Sequence, residues 1–141
     1  MEVKSILLIE DDELDVISVE RSLKKIDLNY RLHTAYNGVE ALEKLYGHDG
    51  EKILPDLILL DINMPRMTGI EFLTKLKSDP TFDHIKVYVM TTSNDHKDQQ
   101  SMEGLGVHGY ILKPMNFTDN TKKHESMDYF MHFQIRKILN E

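Results

Sequence analysis

The sequence contains no cysteine among its 141 residues. Disulfides, thiolate metal sites and cysteine nucleophiles are therefore excluded as its chemistry. Basic residues are also few: 17 stand against 24 acidic residues, for a formal net charge of −7. Nucleic acids require a positive binding surface and anionic membranes attract basic segments, so neither partner is expected.

The chain also lacks long apolar runs. None approaches the roughly 20 residues of a membrane-spanning helix. Met1 leads almost directly into a short apolar strand, without the pattern of a secretion signal. We therefore expect a cytoplasmic protein. The length suits one domain, and no repeat or linker divides it, so a single domain over residues 1–141 with no output domain is expected.

Short apolar runs alternate with segments of helical periodicity. The runs predict five strands, at Ile6–Ile9, Tyr30–Ala35, Leu57–Leu60, Ile85–Met90 and Val107–Leu112. Helical spacing predicts five helices, at about 15–25, 39–45 and 70–76, one ending near 103, and one at about 120–139. This alternation is typical of an α/β fold with a doubly wound parallel sheet.

Polar residues stand where four of these strands end. They are Glu10, Asp11 and Asp12 after the first strand, Asp61 after the third, Thr91 after the fourth and Lys113 after the fifth. Parallel strands end at one edge of a sheet, so these side chains can converge. Neighbouring carboxylates raise one another's pKa, and a divalent cation such as Mg²⁺ relieves that conflict.

An aspartate at such an edge has two readings. Asp61 could simply cap the following helix, or its carboxylate could act as a nucleophile that forms an aspartyl-phosphate. A phosphoacceptor needs positive charge and a hydroxyl donor near the phosphoryl oxygens. Mg²⁺, Lys113 and Thr91 would supply these, which favours the second reading.

These residues carry a family resemblance. Glu10-Asp11-Asp12, Asp61 within Leu60-Asp61-Ile62-Asn63-Met64-Pro65, Thr91 and Lys113-Pro114 resemble the signature of response-regulator receiver domains, the CheY-like phosphoacceptors of two-component signalling. The resemblance covers the chain from Ile6 to the last helix. It implies a flavodoxin-like fold with strand order 2-1-3-4-5.

The resemblance also implies a metal site. Asp61 would be the phosphoacceptor, and Asp12 and Asp61 the carboxylate ligands of Mg²⁺. Asp11 would act through a bound water, and Asn63 would offer its backbone carbonyl. Glu10 would support the site.

A second set of implied roles concerns the phosphoryl group. Thr91 would donate a hydrogen bond to it, and Lys113 would pair with it, followed by a cis peptide bond to Pro114. Tyr110 would be the switch aromatic that turns inward with Thr91. Thr92 stands where the family more often has a small residue such as alanine, which leaves the rate of phosphate loss open.

The implied partners are a sensor histidine kinase or phosphotransfer protein and a downstream protein target. The segments 10–15, 47–55 and 90–93 resemble stand-alone regulators that partner phytochrome-type histidine kinases. Tyr129 and Phe133 lie off the apolar stripe of the last predicted helix. They suggest a homodimer or kinase contact, with an ordinary surface pair as the alternative.

The predicted function is that of a phosphorelay response regulator, with only self-phosphorylation and self-dephosphorylation as chemistry. One alternative is a Mg²⁺-dependent aspartyl-phosphate hydrolase, although Asn63 stands where such an enzyme would want a second acid. A flavin carrier would need a phosphate loop where Glu10 to Glu13 would repel phosphate. A phosphorylation-independent interaction domain is the remaining alternative.

Overall fold

The computed structural model describes residues 3–26, 28–48, 50–62, 64, 66–91, 100, 102, 104–112 and 135–139. The strands are β1 (Lys4–Ile9), β2 (Tyr30–Ala35), β3 (Leu57–Asp61), β4 (Lys86–Thr91) and β5 (Gly109–Leu112). The helices are α1 (Glu13–Lys24), α2 (Gly38–Tyr46), α3 (Gly69–Lys77) and α4 (Ile135–Leu139), with a 3-10 turn at Pro80–Phe82.

The five strands form one parallel sheet in the order β2-β1-β3-β4-β5. Both the doubly wound fold and the implied strand order are thereby confirmed. The register pairs Ile9 with Leu60 and Asp61 with Met90. The ends of β1, β3 and β4 therefore lie level along one side of the sheet, which we call the carboxyl edge.

β1 and β3 are buried on both faces of the sheet, because helices cover each face. Leu7 and Ile9 of β1 belong to a core cluster with α2 and α3. Ile6 and Leu8 belong to a second cluster with α1 and α4. The alternation follows from the two-residue period of a strand, and double burial explains the unbroken apolar run of Leu57–Leu60.

Capping residues decide where the helices begin. The side chain of Asn37 accepts a hydrogen bond from the N–H of Glu40 at 2.8 Å and starts α2. Thr68 and Glu71 form a reciprocal capping box at the start of α3. α1 begins at Glu13, ahead of the predicted start at residue 15, because Asp12 caps it.

Two predicted helices lie largely outside the described residues. The helix predicted to end near residue 103 is one of them. Of the last predicted helix only Ile135–Leu139 is described, and it is helical. Lys86 Nζ donates a hydrogen bond at 2.8 Å to the carbonyl of Ile138, which ties α4 to the start of β4. Among the described helices, none has the length and apolarity needed to cross a bilayer.

Candidate functional site

β3 brings Asp61 to the carboxyl edge. The four preceding residues, Leu57–Leu60, are fully buried, and the Asp61 side chain is itself only 5% exposed. The N–H of Ile62 then donates to the carbonyl of Met90 at 3.4 Å, which extends the pairing with β4 just past the aspartate. Asp61 is therefore held by a strand fixed on both sides.

β1 brings two further acids to the same edge. The N–H of Glu10 donates to the carbonyl of Ala35 at 2.9 Å, and the Glu10 side chain is buried, whereas Asp11 is exposed. Because Ile9 pairs with Leu60, Glu10 and Asp61 occupy equivalent positions on neighbouring strands. Glu10, Asp11 and Asp61 each offer a carboxylate oxygen, and these three oxygens lie within 4.8 Å of one another.

This donor set fits a hard divalent cation. It consists of carboxylate oxygens alone, which are the ligands that Mg²⁺ and Mn²⁺ prefer over nitrogen and sulfur. One of the three side chains is exposed, so the group opens to solvent on one side. A cation could reach it without displacing the core.

The structure differs from the sequence prediction at Asp12. That residue is exposed, and its Oδ1 accepts a hydrogen bond from the N–H of Leu14 at 2.9 Å, as the N-terminal cap of α1. Among the described residues, the carboxylate group contains Glu10 and Asp11 with Asp61, and Asp12 is not a member. The Asp12 side chain faces the helix that follows, and the ligand role that the resemblance implies for it stays a prediction.

Thr91 and Tyr110 lie on the neighbouring strands as predicted. Thr91 is the last residue of β4 and is buried next to the Asp61 position in the register. Tyr110 lies in β5 opposite Val89 and packs, partly buried, against the core cluster of α2 and α3. The other predicted site residues lie outside the described residues: Asn63, Lys113, Pro114 and its peptide bond, Tyr129 and Phe133.

The start of α3 is a part of the site that sequence analysis missed. The N–H of Gly69 donates to the carbonyl of Ile62 at 3.1 Å. A Cβ atom at Gly69 would stand 3.0 Å from the Cα of Ile62 and 3.3 Å from the carbonyl oxygen of Asp61. Glycine lets the helix approach the backbone of the aspartate. The signal in the sequence is a glycine between a capping Thr68 and the apolar stripe of α3.

The fold and the site define a class of protein: a flavodoxin-like α/β domain with a buried aspartate and an acidic cluster fit for a cation at the carboxyl edge. Residues 6–125 match the family model of the response regulator receiver domain. The chain belongs to this family. It is a receiver domain of two-component phosphorelay signalling.

Relatives agree with this assignment. Response regulator Rcp1 of Synechocystis is 33% identical over 129 residues, which cover 90% of this chain and 88% of that protein. A solved two-component response regulator from Legionella pneumophila is 44% identical, with a TM-score of 0.74, over 83% of this chain and 91% of that one.

Two further solved structures are similar at nearly the same level. The Mn²⁺-bound form of Rcp1 is 33% identical, with a TM-score of 0.73, over 82% of this chain and 85% of that one. The phosphorylated cyanobacterial phytochrome response regulator RcpA is 34% identical, with a TM-score of 0.73, over 83% of this chain and 85% of that one. The chain thus resembles the phytochrome-associated branch of the family.

Proposed function

We propose that Asp61 accepts a phosphoryl group from the phosphohistidine of a sensor histidine kinase or phosphotransfer protein. The phosphorus–nitrogen bond of the donor breaks as a bond forms to a carboxylate oxygen of Asp61. The observation that carries this proposal is the grouping of the Asp61, Glu10 and Asp11 carboxylate oxygens within 4.8 Å at the carboxyl edge. A solitary helix-capping aspartate would not need two acidic neighbours.

We assign the metal site to Glu10, Asp11 and Asp61, joined by the backbone carbonyl of Asn63. Mg²⁺ bound there would supply positive charge to offset the phosphoryl oxygens. The all-oxygen donor set and the Mn²⁺-bound form of the relative Rcp1 support this assignment. Asp12 is left out, because it is not among the grouped carboxylates and its Oδ1 accepts the hydrogen bond that starts α1.

Thr91 and Lys113 complete the proposed site. The Thr91 hydroxyl would donate a hydrogen bond to the phosphoryl group, and Lys113 would pair with its negative charge. The position of Thr91 as the buried last residue of β4 supports its part. Tyr110, two positions from the end of β5, would turn inward with Thr91 and alter the β4–β5 face. The phosphoryl group can shift this equilibrium only by stabilising one state more than the other.

The proposed partner is a phytochrome-type histidine kinase, and the output is altered binding to a downstream protein. The similarity to the phytochrome response regulator RcpA supports the kinase class. A second copy of the chain is a further candidate partner. All of these would act in the cytoplasm.

Labelling with acetyl phosphate tests the acceptor assignment. Wild-type protein should be labelled in the presence of MgCl₂ and should lose the label in EDTA, whereas Asp61→Ala should not be labelled. Asp83→Ala is the matched control, since this exposed aspartate precedes the opposite end of β4. Asp83→Ala should label like the wild type. Equal labelling of wild type and Asp61→Ala would refute the assignment.

A further inference from the structure

The segment that follows Asp61 is held by buried methionines. We call residues 62–68, between β3 and α3, the acceptor loop; residues 63 and 65 lie outside the described residues. Met64 and Met67 of this loop are both buried in the core cluster with α2 and α3. Between them Arg66 has φ 69°, a left-handed conformation that costs free energy for a residue with a side chain. The described residues of the loop therefore depend on packing against the core for their conformation.

Met67 fills a notch in α2. Gly38 is the first residue of α2, and a Cβ atom there would stand 2.7 Å from Met67 Sδ, 2.9 Å from its Cγ and 3.1 Å from its Cβ. Such distances are too short for carbon atoms in contact, which prefer about 3.5–4.0 Å. Because the conflict reaches the Cβ of Met67, a rotation of the sulfur alone would not relieve it. The absence of a side chain at Gly38 is what admits Met67.

The residues that follow Met67 connect it to the backbone of Asp61. Thr68 follows directly and caps α3, accepting a hydrogen bond from the N–H of Glu71 at 3.1 Å. Gly69 comes next: its N–H donates to the carbonyl of Ile62 at 3.1 Å, and a Cβ atom there would stand 3.3 Å from the carbonyl oxygen of Asp61. A displacement of Met67 would thus be passed on, through two residues, to the backbone that carries the Asp61 carboxylate.

We propose that Met67, seated on Gly38, is a positioning residue for the phosphoacceptor. It holds the acceptor loop so that the Asp61 carboxylate stays grouped with Glu10 and Asp11. The inference rests on the proposed function, since it assumes that this group binds a cation. Groups that hydrogen-bond directly to a metal ligand typically change the affinity for the metal by 10- to 100-fold when they are lost, and Met67, which acts through Thr68 and Gly69, should lie at the lower end of that range. We expect Met67→Ala to weaken cation binding by about tenfold.

A matched control separates positioning from core packing. Met102 is 1% exposed and lies in the same core cluster, but it belongs to the segment between β4 and β5. Met67→Ala and Met102→Ala delete the same atoms from one core, so both should lower the melting temperature. Titration calorimetry with MnCl₂ should show a raised dissociation constant for Met67→Ala alone. Met67→Leu, which keeps most of the apolar volume, should restore affinity.

Gly38→Ala tests the contact from its other side. It deletes nothing, yet it should also weaken Mn²⁺ binding, because the added methyl group displaces Met67. In Gly38→Ala/Met67→Ala the two shortest contacts, to Sδ and Cγ, are gone and only the 3.1 Å contact to the remaining Cβ is left, so the double variant should lose less affinity than the two single losses combined. Hydrogen exchange at the Gly69 N–H offers a readout without metal. It should be faster in Met67→Ala and Gly38→Ala than in Met102→Ala.

Equal Mn²⁺ dissociation constants in Met67→Ala and Met102→Ala would overturn the inference, as would an unchanged exchange rate at Gly69. If Met67→Ala does not fold, Gly38→Ala carries the same comparison. Failure of the proposed function has a different signature, which is equal acetyl-phosphate labelling of wild type and Asp61→Ala.

Discussion

Replacing Asp11 and Asp12 one at a time by alanine should separate cation binding from helix capping. The two aspartates are adjacent and both exposed, but only Asp11 belongs to the carboxylate group with Glu10 and Asp61. Asp12 instead accepts the hydrogen bond from Leu14 that starts α1. The two substitutions change charge equally, so any difference between them reports geometry.

Asp12→Ala should lower the free energy of unfolding by about 1 kcal/mol, the usual cost of losing a helix cap. For a chain of this size that corresponds to a fall in melting temperature of about 4 °C. The loss should be the same with and without MgCl₂, because the carboxylates that we assign to the metal remain. The increase in melting temperature on adding MgCl₂ should therefore match that of the wild type.

Asp11→Ala should behave in the opposite way. A ligand present at 100 times its dissociation constant stabilises the folded state by about 2.7 kcal/mol. Loss of Asp11 should remove most of that gain. Glu13→Ala is the control, because it removes an exposed acid from the first turn of α1 that is neither its cap nor a member of the carboxylate group.

Thermal unfolding in EDTA and in a MgCl₂ series measures both effects in one experiment. A metal-dependent increase that disappears in Asp12→Ala and survives in Asp11→Ala would refute the structural assignment. It would restore the ligand set that the sequence resemblance implied.

His108 and Gly69 provide two further predictions. Nδ1 of His108 accepts a hydrogen bond from the N–H of buried Val87 at 3.2 Å, and partial desolvation, followed by the charges of Lys77 and Lys86, lowers the pKa of this exposed residue from 6.5. Its contribution to stability is therefore complete above about pH 6.5 and lost as the pH falls through the lowered pKa. In His108→Asn, whose amide oxygen can still accept the hydrogen bond, the free energy of unfolding measured in urea should fall less steeply as the pH is lowered. An equal pH dependence in the two proteins would contradict this. Gly69→Ala should slow Asp61 labelling and lower the melting temperature, because its Cβ would lie 3.0 Å from backbone at Ile62; unchanged labelling kinetics would count against it.

Much of the fold could be predicted because a strand that is buried on both faces of a sheet is an unbroken apolar run in the sequence. Leu57–Leu60 is apolar at every position, since successive side chains enter opposite cores. The ends of the elements were less accurate. β5 begins at Gly109, whereas the apolar pattern suggested Val107, because an apolar residue can pack in a loop as well as in a strand.

The identity of the acidic cluster could be predicted only in part. Glu10, Asp11, Asp12 and Glu13 are four acids in succession, and their composition does not reveal which of them faces Asp61. That depends on where β1 ends and α1 begins, and a shift of one residue exchanges a ligand for a cap. In the structure Asp12 accepts the hydrogen bond from Leu14 that starts α1, and this is why our proposal assigns the metal to its neighbours.

The contact between Met67 and Gly38 is of a kind that no local pattern reveals. Each residue fits its own segment, a turn in one case and a helix start in the other. The two residues meet only because the sheet places the start of α2 beside the loop that leaves β3. Gly38 and Gly69 have similar roles, because a Cβ atom at either position would clash with the segment that follows β3. β3 brings Asp61 to the carboxyl edge, and in our proposal the glycines that begin α2 and α3 determine where its carboxylate lies.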